Sequence, residues 1–206
     1  MSAKIYPFFS SPLMIGEEIY EFSEKEINYV KNLKLLSNDF NQSSQNTLVL
    51  ENPTLASLKK FILKGINYYT DEVLKIKKDT TKFYITQSWI SYTNPGQCHH
   101  LHLHPNSLLS GVFYFQGEKA PIQFHRGERL FPLTFSYEFF NLYNSDSCWV
   151  DLEIGKLFLF PSSLRHEVFI NKSSIQRISL SFNTFASGEF GQNARDYNLV
   201  LPSPKT

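Results

Sequence analysis

The sequence is poor in the residues that mark secreted or membrane-spanning chains. Cys98 and Cys148 are the only cysteines among 206 residues, too few for a disulfide framework, so a reducing compartment is expected. No apolar run reaches the roughly 18 residues that a membrane span needs. Met1 is followed by neither a basic segment nor the apolar core of a signal peptide. These absences predict a cytoplasmic protein with no membrane partner.

An excess of charge of one sign is also lacking. Lys and Arg together number 20 against 19 for Asp and Glu, which gives a formal net charge of +1. A nearly neutral chain has no broad electrostatic attraction to nucleic acid, and no clear nucleic-acid patch stands out. We therefore expect the protein to recognise a small molecule or a protein side chain rather than a nucleic acid. The sequence leaves the oligomeric state open.

Aromatic residues, by contrast, are abundant. The chain contains 19 Phe and 11 Tyr, which favours a β-rich interior. Its length suits a single domain over residues 1–206. We divide this domain into N-terminal strands with supporting helices over 1–82, a β core over 83–185 and a tail over 186–206. No internal repeat or linker divides the chain further.

Two packing helices are predicted before the β core. Ser23 and Glu26 form a capping box ahead of apolar residues that continue at helical spacing to Leu36. A polar loop follows over 37–47. A second helix should begin near Thr54, and its apolar stripe indicates that it packs against the back of a sheet.

Beyond residue 82 the pattern changes to short strands separated by turns. This spacing predicts an antiparallel sandwich or barrel, so the expected class is mainly β with flanking helices. The polar stretch over 126–147 is longer than an ordinary connection, which is typical of a lid or a substrate-facing loop.

Histidine is concentrated in one place, because four of the six copies lie within residues 99–104. His100, His102 and His104 alternate with leucines, and alternate residues of a strand share one face. Neutral imidazole is the commonest metal-binding side chain, so this face predicts a metal site. Cys98 could add a soft ligand or be a small buried thiol.

Two sequence blocks surround this cluster and a distant histidine. Residues 102–114 read His-Leu-His-Pro-Asn-Ser-Leu-Leu-Ser-Gly-Val-Phe-Tyr. Further on come Phe-Pro-Ser-Ser-Leu-Arg-His-Glu-Val at 160–168 and Arg-Ile-Ser-Leu-Ser-Phe-Asn at 177–183. The blocks resemble those of the iron(II)- and 2-oxoglutarate-dependent oxygenases, in particular a branch frequent in marine phages and bacteria. The resemblance extends over about residues 84–185.

The resemblance implies a fold and an activity. The fold is a double-stranded β-helix, a cupin-like jelly roll of two antiparallel sheets with the metal between them. The cofactor is iron(II), and the cosubstrate is 2-oxoglutarate. The activity is the hydroxylation of a substrate with release of succinate and CO2.

The resemblance also implies residue roles. It assigns three metal ligands: His102, His104 and His166. Arg177 would pair in a fork with the distal carboxylate of 2-oxoglutarate, helped by Ser179 on the same strand face. Tyr114 could contact the cosubstrate as well, or serve only in packing.

His104 is the main departure from the family pattern, because most of these oxygenases have Asp or Glu there. Asp146 or Asp151 could supply a carboxylate instead, although solvated positions suit both. His100 is a reserve ligand if the register slips by two residues. Pro105 favours His102 and His104, since it matches the family's turn after the second ligand.

Two other functions fit the histidines. One is a cupin-type dioxygenase that uses three histidines without 2-oxoglutarate, and the other is a non-catalytic module that retains the barrel. Arg177 argues against the first, since a buried arginine fork needs an anionic partner. At His125-Arg126 relatives commonly have Asp-Pro-Arg, so a substrate contact there would differ, unless Arg126 is an exposed loop cation.

Overall fold

The computed structural model describes residues 1–8, 10–77, 80–118, 121–128, 132–133, 135–191 and 198–204. This part of the chain contains twelve strands, two α-helices, two short 3-10 helices, Val49–Glu51 and Pro53–Leu55, and a π-helical turn, Tyr69–Val73. The helices are α1, Glu24–Lys31, and α2, Ala56–Tyr68. The strands are β1 Met14–Ile15, β2 Leu35–Ser37, β3 Gln42–Ser44, β4 Thr81–Thr93, β5 His99–His102, β6 Leu109–Gln116, β7 Ile122–His125, β8 Ser147–Val150, β9 Leu157–Pro161, β10 His166–Val168, β11 Arg177–Phe190 and β12 Leu199–Leu201.

The strands form two antiparallel sheets. The large sheet has the order β1-β9-β6-β11-β4-β3-β2, with β12 also paired to β11. The small sheet has the order β5-β10-β7-β8. All the paired strands run antiparallel. The predicted β-rich class with flanking helices is therefore confirmed.

The central strand β11 separates two environments by simple alternation. Ile178, Leu180 and Phe182 are buried in one core with the apolar face of α2. Arg177 and Ser179 instead line a cavity that the small sheet closes on its other side. Because successive side chains of a strand point to opposite faces, one strand supplies both a hydrophobic core and a polar site.

The first helix begins as the sequence predicts and ends early. The Ser23 hydroxyl accepts the Glu26 backbone N–H, while the Glu26 carboxylate accepts the Ser23 backbone N–H at 2.8 Å. The helix ends at Lys31, and Leu35–Ser37 forms β2 instead of continuing it. The prediction of helical spacing to Leu36 and of a loop over 37–47 was wrong here, because β2 and β3 pair and extend the large sheet.

The segment after residue 185 is largely strand where the structure describes it. Strand β11 continues to Phe190, and β12 returns beside it with Gly188 opposite Leu201. We expected a tail over 186–206, but the described residues at both ends of this range belong largely to paired strands. Strand β4 begins at Thr81, so β11 has a partner as far as Gly188. Neither helix in the described ranges has the length and apolarity to cross a bilayer.

Candidate metal centre and anion pocket

Three imidazoles converge in the cavity between the sheets. His102 ends β5, His166 begins β10 directly opposite it, and His104 lies two residues beyond β5. One ring nitrogen from each lies within 4.8 Å of the other two. The ring centroids of His102 and His166 are 4.3 Å apart, and those of His104 and His166 are 5.1 Å apart. This spacing suits one cation shared by three nitrogen ligands.

Backbone carbonyls fix the tautomers of two of these rings. His102 Nδ1 lies 2.7 Å from the carbonyl oxygen of His100, and His166 Nδ1 lies 2.9 Å from that of Leu164. A carbonyl oxygen can only accept, so each Nδ1 carries the proton and each Nε2 keeps its lone pair. A hydrogen bond of this kind orients a ligating histidine and raises its basicity.

Burial keeps the three rings neutral. Burial, followed by the neighbouring histidines, lowers the pKa of His104 to about 3. The same causes lower the pKa of His166 to about 4, and burial lowers the pKa of His102 as well. At neutral pH the cluster therefore presents lone pairs rather than positive charge, which is the form that binds a metal ion.

A serine network holds the loop that carries His104. The His104 backbone N–H donates to the Ser162 carbonyl at 3.0 Å. The Ser162 hydroxyl donates to Ser107 Oγ at 2.7 Å and lies 2.7 Å from Ser110 Oγ, which donates to Asn183 Oδ1 at 2.8 Å. All four polar side chains belong to the sequence blocks quoted above. Together they join the loop after β5 to strands β6 and β11 and to the residue that follows β9.

Arg177 faces the same cavity and is only 2% exposed. Its Nη1 donates to the carbonyl of Phe169 at 3.4 Å, and none of the ion pairs found among the described residues includes it. Burial lowers its pKa, while Tyr114 and Cys98 act in the opposite direction. A buried guanidinium without a carboxylate partner is costly, so this position is suited to an anionic ligand.

Ser179 and Tyr114 lie beside the guanidinium. They occupy opposite positions in the register of β11 and β6, and both line the cavity. Burial raises the pKa of Tyr114, so its phenol stays protonated. The ring also packs edge-on against Phe158, with centroids 6.0 Å apart. Tyr114 therefore packs against the core and also lines the cavity in which a ligand could bind.

The predicted alternation fails at His100. His102 pairs with His166 and His99 with Val168, so three steps along β5 match two along β10. This bulge turns His100 outward, where its ring stacks on Phe40 at 4.5 Å, and turns His99 into the cavity. The prediction of His100 on the ligand face was wrong. The sequence analysis missed His99 because a β-bulge reverses which residues of a strand share a face, and no residue pattern in the sequence indicates this bulge.

The other candidates lie outside the cluster. Among the described residues, only the three histidines are close enough to one another to share a metal ion. Cys98, Asp146 and Asp151 are not part of this group. Both aspartates are exposed, as solvated positions require. His125 Nε2 lies 2.8 Å from Glu167 Oε1, and Arg126 is exposed.

Comparison with known proteins agrees with this geometry. Residues 87–183 match the sequence model of a family described as "Putative 2OG-Fe(II) oxygenase". The resemblance to the 2OG-Fe(II) oxygenase family is confirmed. No curated protein sequence matches the chain significantly.

Several solved structures share the fold. An oxidoreductase of the 2OG-Fe(II) oxygenase family from Burkholderia pseudomallei is 12% identical with a TM-score of 0.58, covering 84% of this chain and 83% of that one. HygX from Streptomyces hygroscopicus, crystallised with nickel, 2-oxoglutarate and hygromycin B, is 11% identical with a TM-score of 0.58, over 86% and 84%. The carbocyclase SnoK of nogalamycin biosynthesis is 14% identical with a TM-score of 0.55, over 86% and 82%. At these identities the likeness shows the fold, which is the predicted double-stranded β-helix.

Proposed function

We propose that the protein is an iron(II)- and 2-oxoglutarate-dependent dioxygenase that hydroxylates a substrate and releases succinate and CO2. One observation carries the proposal: a single cavity joins three neutral imidazoles to a buried guanidinium that has no carboxylate partner among the described residues. The family match and the 2-oxoglutarate bound to HygX support it.

The three histidines would hold iron(II). The Nε2 lone pairs of His102 and His166 are free because each Nδ1–H is engaged by a backbone carbonyl. His104 takes the position of the usual carboxylate, which leaves the site one charge unit more positive. Iron(II) with 2-oxoglutarate would supply the activation of dioxygen, with oxidation of the keto acid to succinate and CO2.

The far side of the cavity would bind the dicarboxylate. Arg177 presents a planar fork that matches a carboxylate, with the Ser179 hydroxyl two residues along the same face. Tyr114 keeps its proton and can donate to the same anion. Val112, Ile122 and Phe160 also line this space and give it apolar walls.

The connection between β7 and β8 is proposed to face the substrate. Its described part exposes several large apolar side chains: Leu133, Phe135, Phe139, Phe140, Leu142 and Tyr143. Several exposed large apolar side chains within one connection are typical of a binding surface. The class of substrate, a small molecule or a protein side chain, stays a prediction.

The proposal is tested by succinate formation. Purified protein with iron(II), 2-oxoglutarate, dioxygen and ascorbate, the reductant that takes the place of the unidentified substrate, should form succinate, and the His166→Ala variant should not. His104→Asp, which restores the usual carboxylate, should retain or increase this turnover. No succinate from a protein that binds iron would contradict the proposal.

A cupin-type dioxygenase acting without 2-oxoglutarate is the second candidate, because a third histidine replaces the carboxylate. It predicts metal binding with oxygen uptake that is independent of 2-oxoglutarate. The non-catalytic module predicts weak metal binding and no oxygen-dependent consumption of 2-oxoglutarate.

A further inference from the structure

A fourth histidine, His99, lines the same cavity with the opposite tautomer. Its Nδ1 lies 3.0 Å from Nδ2 of Asn41. The same Asn41 nitrogen donates to the Cys98 carbonyl at 3.3 Å, so it is the amide NH2 and not the oxygen that faces the ring. Nδ1 of His99 is therefore the acceptor, and a neutral ring carries its proton on Nε2.

The orientation of the Asn41 amide is set by a relay that begins at the backbone. Asn38 Oδ1 accepts the backbone N–H groups of Phe40 and Asn41 at 2.9 and 2.8 Å. The remaining Asn38 nitrogen then donates to Asn41 Oδ1 at 2.9 Å. Because backbone N–H groups can only donate, every bond of the relay has a fixed direction, and it ends on His99. Asn41 itself is 1% exposed, so its bond to His99 is shielded from water.

The position of His99 differs from that of the three clustered histidines. His102 lies opposite His166, whereas His99 lies opposite Val168, one residue before the Phe169 carbonyl that accepts from Arg177. In the register of the small sheet, His99 is therefore displaced from the His102–His166 pair toward the Phe169 carbonyl, and both His99 and Arg177 line the cavity. A ring with Nε2–H is not a metal ligand through that atom, but it is a donor to an anion.

We propose that His99 is a cosubstrate-binding residue whose Nε2–H donates to a carboxylate of 2-oxoglutarate, and that Asn41 is the positioning residue that fixes this tautomer. The inference rests on the proposed function. It adds a neutral donor to the cavity that also contains the charged Arg177.

The test compares His99→Gln with His99→Met in the anaerobic iron(II)-loaded protein. Gln keeps an N–H donor at similar reach, while Met has similar bulk and no donor. The dissociation constant of 2-oxoglutarate is measured by titration of the visible charge-transfer absorption, and that of iron(II) separately. We expect His99→Met to raise the dissociation constant of 2-oxoglutarate at least tenfold, and His99→Gln to keep it within about threefold of the wild-type value. The affinity for iron(II) should change less than twofold in both variants.

Two further variants complete the design. Asn41→Leu removes the hydrogen bond that positions His99 and should lower the affinity for 2-oxoglutarate several-fold. The affinity for iron(II) should not change. His100→Met, the adjacent exposed histidine, is the control and should leave both constants unchanged. Equal 2-oxoglutarate affinity of His99→Met and His99→Gln would overturn the inference alone, as would a parallel loss of iron(II) affinity. A wild-type protein that binds iron(II) but no 2-oxoglutarate would overturn the proposed function as well.

Discussion

Arg177 shows how a single residue can be unfavourable for folding and necessary for binding. The residue is 2% exposed, and its guanidinium donates one long hydrogen bond, to the carbonyl of Phe169. Burying a charge without a counter-ion costs free energy, and replacing such a group by an apolar residue of similar size is often neutral or stabilising. Binding of a dicarboxylate would offset this cost.

Arg177→Met should therefore separate stability from binding. We expect the ligand-free variant to unfold at the same temperature as wild type or higher, while its affinity for 2-oxoglutarate falls at least a hundredfold, as truncation of a buried charge pair does. Differential scanning calorimetry and a 2-oxoglutarate titration check both halves. Arg177→Lys is the control and should retain part of the affinity. A large loss of stability in ligand-free Arg177→Met would show that the charge already has a partner.

The neutral histidines make the stability of the metal-free protein depend on pH in one direction. His104 and His166 have folded-state pKa values of about 3 and about 4, below the ordinary value of 6.5. Between those values the unfolded chain binds more protons, so the contribution of these two histidines to the free energy of unfolding falls as pH drops below 6.5 and is constant above it. Urea unfolding from pH 7.5 to 4.5 measures this slope. In His104→Gln the slope should be smaller, and an equal slope would contradict the assignment.

The packing of neighbouring strands explains one glycine of the motif. A methyl group at Gly111 of β6 would lie 2.2 Å from Phe182 Cζ and 2.9 Å from Leu159 Cδ2. Gly111→Ala should therefore destabilise the protein by about 1–3 kcal/mol through overpacking. The control is Gly127→Ala, where a methyl group meets nothing within 4 Å, with an expected change below about 0.5 kcal/mol. Urea unfolding of both variants tests this, and equal stabilities would refute it.

How far each element could be predicted depends on how local its cause is. The start of α1 follows from Ser23 and Glu26, three residues apart, and the sequence predicts it correctly. The seven successive buried residues of β6 follow from a strand covered on both faces, which the apolar run indicates.

Elements with distant causes were not predictable. The bulge that exchanges His99 for His100 is set by the pairing of β5 with β10, more than sixty residues away. Likewise, β2 forms only because β3 attaches to β4, and β12 only because β11 is long enough to receive it. Local sequence patterns contain no information about these partners.

The whole molecule has two cores on the two faces of the large sheet. One joins the sheet to both helices, and the other joins it to the small sheet around Phe124, Phe158 and Phe160. The candidate site lies beside the second core and takes residues from both sheets. A ligand that bridges the sheets should therefore stabilise the fold as a whole.

Metal binding should raise the unfolding temperature. A ligand at a hundred times its Kd stabilises the folded state by about 2.7 kcal/mol when it binds the native protein alone. We expect iron(II) or nickel(II) to stabilise the wild-type protein by a free energy of this order. The unfolding temperatures of His102→Ala and His166→Ala should not change when the metal is added. An equal shift in these variants would show that the metal binds elsewhere.

The central claim is that the two sheets bring together a metal site and a dicarboxylate site in one cavity. Anaerobic titration with iron(II) and 2-oxoglutarate tests it most directly, because their chelate has a visible charge-transfer band. We predict a band that needs both ligands in wild type, disappears in His166→Ala and requires far more 2-oxoglutarate in Arg177→Met. Saturable iron(II) binding without any such band, or a band indifferent to residues 166 and 177, would contradict the account.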